Sequence, residues 1–349
     1  MKYVLRVISG PAGAILLAFV LAALAMLIAG VSPVDGFSAL IAGALGGRRE
    51  IAETLVQTTA LLFPALGVAV AFRAGLFNIG AEGQLLMGGL LAGAVGAHFS
   101  TPNRGLTILV LLLLGLAGGG FWAAIAGWLR ARFNANEIIS TLMLNFIALS
   151  LASYLVSGPF KSPLASGAET APLLPGGWLP AFPTVFGVSF GDTRLTIAIL
   201  IALLTALVVM FVFNRTVFGY ELRAAGEAPE AARRNGINMP RMTVLALTLS
   251  GAIAGLGGAT IVTGALHRFN TAISPGYGYT AIAVALVGDL NPLWVCVAAF
   301  GFGILEAGGL AMQANAGVPK DAIHVIEGLI VLVLAARRYF ASRAQTAPI

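Results

Sequence analysis

The feature that most limits the fold of this chain is a succession of apolar segments, each near the length of a membrane-crossing helix. About 20 mostly apolar residues span the hydrocarbon core of a bilayer. Ten segments of the 349-residue sequence meet or approach that length: residues 11–31, 52–72, 75–97, 105–129, 136–157, 194–213, 242–265, 277–289, 292–312 and 321–336. The short alternating segments of a β-barrel are absent from the sequence. We therefore predict an all-α, polytopic transmembrane helical bundle.

The composition agrees with a membrane bundle and argues against a soluble enzyme. Charged residues make up 10% of the chain, whereas soluble domains carry roughly a quarter. The 44 glycines suit membrane helices, which pack closely on small residues. The basic residues are scattered at the ends of the predicted helices, so the isoelectric point near 9.9 is not read as a sign of nucleic-acid binding.

The distribution of lysine and arginine predicts the orientation. Ten spans place both termini on one side, and cytoplasmic segments carry more basic residues. With cytoplasmic termini, thirteen basic residues lie in inner segments and seven in outer segments. We therefore expect one transmembrane permease domain over residues 1–349, with a cytoplasmic 214–241 loop and an outer 158–193 loop.

Polar residues interrupt the start of the third predicted span. Asn78, Glu82 and Gln84 lie among glycines in the phrase GLFNIGAEGQ. Polar groups at membrane depth are costly unless they face protein or a water-filled path, and broken helices with polar side chains recur at transporter sites. We predict that these three residues line a substrate pathway; the alternative places Glu82 at the headgroup level, with the glycines serving only packing.

The fifth predicted span contains a deeper polar residue. Asn136 and Glu137 open this helix, and Thr141 and Asn145 lie on one flank of it. A carboxylate favours the N-terminal end of a helix. Asn145 is a candidate pathway residue, and an interhelical hydrogen bond is the equally weighted alternative.

Small residues and a second break mark the C-terminal part of the chain. Small residues in the seventh span predict a close-packing surface; they are Ser250, Gly251, Ala254, Gly255, Gly258 and Ala259.

The short eighth span follows a glycine–proline turn and ends at Asp289–Pro292. Like the third span, it is a short apolar stretch broken by glycine, and this similarity indicates two related halves. Glu306 and Glu327 are either part of a proton route, paired within the protein, or neutral through a raised pKa.

The 214–241 loop carries five basic residues and three acidic ones. Its core predicts a short helix that starts near Pro229 and stops at Gly236, since proline suits the first helical turn and glycine the residue after the last. A polar helix between two spans is a typical docking element for a soluble motor.

Catalytic motifs are missing from the sequence. It has no phosphate-binding G-x-x-x-x-G-K-[ST] loop and no G-x-S-x-G nucleophile turn. Its three histidines follow no metal-ligand spacing. We therefore expect no enzyme, no catalytic residue and no bound metal or cofactor in this chain.

The 158–193 loop is rich in proline, glycine and serine. Six prolines forbid a long helix there. The loop is either a simple connection or a docking platform for an external protein.

Four phrases together resemble one family: GLFNIGAEGQ, NEIISTLMLNFIA, AAGEAPEAARRNGIN and YTAIAVALVGDLNP. It is the permease family of bacterial ABC importers for simple sugars and nucleosides, related to the ribose and branched-chain amino acid permeases. The resemblance covers residues from about 50 to 336, and the FNIGAEGQ phrase is more similar to the nucleoside-type members.

The resemblance implies an importer subunit in the bacterial inner membrane that moves nucleosides, or a simple sugar such as ribose, by ATP-driven alternating access. It implies three partners: an ABC ATPase subunit that holds ATP and Mg²⁺, a second homologous permease subunit, and a periplasmic or lipid-anchored substrate-binding protein. Residues matching the family phrase for ATPase coupling are Glu227, Ala228, Glu230, Ala231, Ala232 and Gly236. The alternatives are an ion-gradient-driven secondary transporter and a permease for branched-chain amino acids.

Overall fold

The computed structural model describes residues 19–24, 26–27, 30–182, 190, 193–318, 325 and 328. Within these residues the chain is helical, and β-structure is limited to two isolated bridges, Glu169–Asn270 and Ala181–Thr196. After helical residues 19–24, eleven α-helices follow in chain order: α1 Pro33–Leu45, α2 Arg48–Arg73, α3 Ala81–Gly96, α4 Arg104–Phe133, α5 Glu137–Ser157, α6 Ala198–Arg215, α7 Val217–Glu227, α8 Pro229–Arg234, α9 Met239–Ile261, α10 Tyr277–Val287 and α11 Pro292–Ala316.

Side-chain caps explain where several helices begin. Asn103 accepts from the backbone N–H groups of residues 105 and 106 at the start of α4. Asn136 does the same for residues 138 and 139 of α5, and Asn238 caps α9 through the N–H of Arg241. Such caps satisfy backbone donors that have no partner inside the helix. The prediction that Asn136 and Glu137 open the fifth helix is confirmed.

Residues 58–300 form one compact unit, and its centre is a contact of α9 with α3 and α4 through glycine. A Cβ on Gly88 of α3 would lie 2.3 Å from the carbonyl oxygen of Gly255. A Cβ on Gly119 of α4 would lie 2.2 Å from that of Gly251. Backbones this close require residues without side chains. The small-residue surface predicted for the seventh span is therefore confirmed.

A second compact unit comprises residues 1–57 and 301–349. Its described part also packs on small residues, since a Cβ on Gly43 would lie 2.0 Å from the Cβ of Ala311. Gly308 lies similarly close to the carbonyl oxygen of Leu40. Thr54 donates to the carbonyl of Ala44 over 2.8 Å, which ties the start of α2 to the end of α1.

Six of the described helices are long and apolar enough to cross a membrane: α2, α4, α5, α6, α9 with the π-helical turn that extends it to Leu266, and α11. The prediction of an all-α membrane bundle is confirmed at this level, whereas the count of ten spans is not. The first and tenth predicted spans, 11–31 and 321–336, lie largely outside the described residues. Helix α1, at 13 residues, was not predicted as a separate helix.

Two predicted spans are shorter helices than the apolar runs suggested. The run 75–97 becomes helical only at Ala81, which leaves a 16-residue α3. The run 277–289 gives the 11-residue α10 and ends in the left-handed residues Asp289 and Leu290. Both breaks were anticipated from glycine and proline, but the helix bounds were wrong because apolar composition does not distinguish extended from helical backbone.

Candidate functional site

A buried polar cluster surrounds the non-helical segment that leads into α3. Asn78 is fully buried, and its amide pairs reciprocally with that of Gln84, with both N···O distances 2.9 Å. The Asn78 Nδ2 group also donates to Ser250 Oγ on α9 over 2.8 Å. Its Oδ1 accepts from the backbone N–H of Gly80 over 2.9 Å. The side chain of Asn78 thus fixes the turn into α3 and ties it to α9.

Helix α5 holds the same segment from another side. Asn145 Oδ1 accepts from the N–H of Gly83 over 2.9 Å, and its Nδ2 donates to the carbonyl of Ile79 over 2.8 Å. A further contact of 3.2 Å joins Nδ2 to the hydroxyl of Tyr279 on α10. Thr141, one turn earlier on the same flank, accepts from the N–H of Ile79 over 3.2 Å. The interhelical hydrogen bonds considered for Asn145 are therefore present.

Glu82 joins α3 to α10. Its Oε2 accepts from the backbone N–H of Gly278 over 2.7 Å, and it also hydrogen-bonds the Ser274 side chain and the Gly276 backbone. Glu82 is 8% exposed. A Cβ on Gly278 would lie 2.2 Å from the backbone nitrogen of Glu82, so the two helix starts touch through glycine.

The structure thus brings all four sequence-predicted pathway residues, Asn78, Glu82, Gln84 and Asn145, into one cluster. Their side chains bond to protein groups, as buried polar atoms must, so the geometry defines a scaffold for two broken helices. Their contact with a substrate stays a prediction. Sequence reasoning missed the partners Tyr279 and Ser274, although both stand in the glycine-rich phrase around the second break.

Other polar candidates lie outside this cluster. Glu306 is buried and belongs to the other compact unit, while Glu327 lies outside the described residues. Among the residues with assigned positions, no group of histidine, cysteine, aspartate and glutamate could hold a metal ion.

The 214–241 segment folds into two helices. Thr216 caps α7 by accepting from the N–H of Gly219, and α8 begins at Pro229 and ends before Gly236. Gly236 has a φ of +86°, a left-handed conformation that favours glycine. The predicted helix and its two boundary residues are confirmed, whereas α7 was not predicted.

The exposed face of α8 is narrower than the sequence suggested. Glu227, Ala228, Glu230, Ala231 and Gly236 are exposed, but Ala232 is buried. The sequence alone predicts both alanines as docking residues, because one short helix gives no indication of which side packs on the bundle. Glu230 and Arg233 form an ion pair of 2.9 Å on the exposed side.

A cavity of about 360 Å³ lies where the 214–241 segment meets the ends of neighbouring helices. Gly75, Arg130, Asn134, Gly226, Pro229 and Met242 contribute to its wall. Beside it the backbones of Gly75 and Gly226 touch, since a Cβ on Gly226 would lie 2.8 Å from the nitrogen of Gly75. Arg130 closes one side through a 3.3 Å ion pair with Glu137. The segment is therefore held by buried side chains, those of Leu222, Ala225 and Ala232, and by the Gly75–Gly226 backbone contact, with open space beside it.

The described part of the 158–193 loop is a fixed cap rather than a free connection. The N–H groups of Thr170, Leu173 and Leu179 donate to the carbonyls of Phe269, His267 and Thr263, respectively. Trp178 stacks on His267 with 4.2 Å between ring centroids, and burial lowers the pKa of His267. The ring is therefore neutral near pH 7. Whether the cap docks an external protein stays a prediction.

Six membrane-length apolar helices, two short helices that follow non-helical segments and the exposed polar helix α8 fit a membrane permease. The chain belongs to the family described as the branched-chain amino acid transport system permease component, whose sequence model matches residues 50–335. It is therefore a multi-pass membrane permease of the ABC importer type, in which ATP hydrolysis belongs to a separate chain. A secondary transporter is not favoured.

Individual relatives refine this assignment. The chain is 36% identical to the guanosine ABC transporter permease protein NupP of Bacillus subtilis, over 93% of this chain and 92% of that protein. It is 35% identical to the glucose ABC transporter permease protein TsgB13 of Haloferax volcanii, over 95% and 87% of the two chains. A second guanosine permease of Bacillus subtilis, NupQ, is 28% identical over 74% of this chain and 80% of its own length. No solved structure shows a significant match.

Proposed function

We propose that this permease moves nucleosides into the cytoplasm by ATP-driven alternating access. The observation that carries the proposal is the likeness to a guanosine permease, at 36% identity over nearly the whole of both chains. A simple sugar is the second candidate, because a glucose permease is 35% identical over a similar share. The family description refers to branched-chain amino acids, a substrate for which neither of these two relatives is named.

The buried cluster of Asn78, Glu82, Gln84 and Asn145 borders the translocation path in this proposal. Support comes from Tyr279, which accepts a hydrogen bond from Asn145 and is 42% exposed. An aromatic ring with a free face offers a stacking surface for a nucleobase. Substrate specificity can still lie largely in the binding protein that delivers the substrate.

The exposed helix α8 couples the permease to its motor. Glu227, Ala228, Glu230 and Ala231 offer a small, polar surface for a groove on an ATPase subunit, and that subunit holds ATP and Mg²⁺. Ala232 packs α8 onto the bundle from its buried side, and Gly236 ends the helix. The cavity of about 360 Å³ beside the segment leaves room for α7 and α8 to shift as the motor closes.

Residues 1–349 act as one permease domain in the bacterial inner membrane, with both termini in the cytoplasm. Its partners are the ATPase, a periplasmic or lipid-anchored substrate-binding protein, and a second homologous permease subunit. The two guanosine permeases of Bacillus subtilis support the second permease subunit, because they differ in sequence and both resemble this chain.

Uptake of radiolabelled guanosine tests the substrate assignment. Cells with and without the gene are compared, and unlabelled nucleosides, glucose, ribose and branched-chain amino acids compete in separate assays. We expect deletion to abolish uptake and only nucleosides to compete. Unchanged guanosine uptake with loss of glucose or ribose uptake would transfer the assignment to sugars.

The coupling role has its own test. Gly236→Pro forces φ to about −65° where the chain needs +86°. Helix α8 should then no longer end at this position or keep its packing on the bundle. We expect transport to be lost while the permease still reaches the membrane. Normal transport by this variant would show that α8 is not the coupling element.

A further inference from the structure

The starts of α3 and α10 present an electrostatic conflict. Each helix begins after a glycine, Gly80 or Gly276, which has no side chain of its own to serve as a cap. A neutral hydroxyl, Ser274 Oγ, accepts from the N–H of Tyr277 at the start of α10 over 3.0 Å. The two starts also touch, since a Cβ on Gly278 would lie 2.2 Å from the nitrogen and 2.5 Å from the Cα of Glu82. A helix N-terminus carries the equivalent of about half a positive charge. Two such ends in contact repel each other unless an anion lies between them.

Glu82 places a carboxyl group between the two helix starts. It lies in the first turn of α3, where a carboxylate stabilises its own helix. The same carboxylate accepts from the backbone N–H of Gly278 in the first turn of α10 over 2.7 Å. It also hydrogen-bonds Ser274 and the backbone of Gly276, just before that helix. One side chain therefore compensates the positive ends of two helices at once.

A neutral side chain reinforces this joint. Asn145 of α5 bonds to Gly83 and Ile79 at the start of α3, and to the hydroxyl of Tyr279 in the first turn of α10. The two short helices are therefore connected both by a charge and by an amide. Because Gly278 leaves no space between the backbones, neither helix start can slide past the other while these bonds persist.

We propose that Glu82 is a positioning residue whose negative charge makes α3 and α10 move as one body during the transport cycle. This inference rests on the proposed function, because it concerns the motion that opens and closes the path. The charge is required in addition to the hydrogen bonds, since a neutral acceptor leaves two positive helix ends in contact. Losing it should uncouple the motor from substrate movement rather than simply unfold the permease.

The test uses the complete transporter, with its ATPase, second permease and binding protein, in proteoliposomes loaded with ATP-regenerating mixture. The readout is guanosine transported per ATP hydrolysed. Glu82→Gln keeps the shape and one acceptor but removes the charge, whereas Glu82→Asp keeps the charge. Glu50→Gln is the control, because Glu50 is also a carboxylate in a first helical turn, that of α2, and has no part in the proposed coupling.

We expect Glu82→Gln to lower transport per ATP about tenfold while ATP hydrolysis continues, the order of effect that a partly buried charge at a helix end produces. Glu82→Asp should keep at least half of the wild-type ratio, and Glu50→Gln should leave it unchanged. A wild-type ratio in Glu82→Gln would overturn the proposal, and so would equal losses in the Gln and Asp variants.

A further variant covers the case in which Glu82→Gln does not assemble. Ser274→Ala removes one neutral donor to the carboxylate together with the acceptor of the Tyr277 N–H, and it lies outside both helices, so assembly is expected. The ratio should then fall about twofold, and an unchanged ratio would overturn the proposal. The two proposals fail differently: absence of ATP-dependent guanosine uptake by the wild-type complex contradicts the proposed function, whereas normal coupling without the Glu82 charge contradicts only this inference.

Discussion

The buried cluster around Asn78 and the exposed helix α8 show two opposite uses of polar residues in one apolar chain. In the cluster, the bonds from Asn78, Glu82 and Asn145 run to other groups of the bundle, among them Ser250 Oγ, the Gly278 N–H and the Ile79 carbonyl. On α8, Glu230 and Arg233 pair with each other while 74% and 68% of their side-chain surface stays exposed. Each of the three polar residues that fix the bundle therefore has at least one partner far away in sequence. Those that are available for docking have only local partners.

The difference has an energetic reason. A buried polar atom without a partner costs about 1–3 kcal/mol, whereas an exposed ion pair contributes about 0–1 kcal/mol. The same kind of substitution should therefore affect stability in the cluster and binding to a partner protein at α8. Substitutions in matched pairs can break or sharpen this contrast.

Gly278→Ala should have the largest effect. The new Cβ would meet the backbone of Glu82 at 2.2 Å, and backbone cannot swing away as a flexible side chain does. We expect the free energy of unfolding to fall by about 2 kcal/mol or more and transport to be lost, as measured by thermal unfolding in detergent and by uptake.

Gly301→Ala is the matched control for this change. A Cβ there would have no neighbour within 4 Å, and alanine favours a helix interior over glycine by about 1 kcal/mol. Its stability should stay equal or rise. Equal losses in the two variants would mean that close approach at Gly278 is not what matters.

Asn78→Ala should come next in size. It leaves Gln84 and Ser250 buried without the partner amide, at a cost of about 1–3 kcal/mol. Asn235→Ala removes an exposed amide that bonds only to the carbonyl of Ala231 one turn earlier, and should cost less than about 0.5 kcal/mol. Thermal unfolding of both variants measures the two losses of stability. Similar melting temperatures would contradict the expected difference between buried and exposed amides.

A pair of bulky substitutions separates the two sides of α8. Ala232→Trp places a large ring on the buried side, so α8 should be displaced in the permease itself, with about tenfold lower transport. Ala231→Trp lies on the exposed side and should leave the isolated permease unchanged while weakening its binding to the ATPase. Protease protection of the permease alone and copurification of the ATPase are the two measurements. If Ala231→Trp left ATPase binding intact, the docking surface would have to lie elsewhere.

The smallest effect is expected for the exposed ion pair. Glu230→Ala removes the 2.9 Å contact with Arg233, yet the permease should lose less than about 0.5 kcal/mol of stability. Any defect should instead appear as weaker ATPase binding that depends on salt concentration. A drop in stability as large as that of Asn78→Ala would show that α8 is part of the rigid bundle.

The sequence anticipated much of the candidate site. Asn78, Gln84 and Asn145 were singled out because amides are costly within an apolar run, and the structure brings them together. Pro229 and Gly236 marked the bounds of α8 through their backbone preferences. Missed features include Tyr279, Ser274 and the buried side of Ala232, because each depends on which distant backbone lies opposite.

The sequence by itself determined the class of this protein. Long apolar runs cannot remain in water, and the small residues of the seventh span permit only close helix packing. Local caps and breaks also follow from the sequence, because they depend on neighbouring residues alone. Only the tertiary structure decided that Glu82 lies between two helix starts nearly 200 positions apart, since a single carboxylate gives no sign of the partner that its charge compensates.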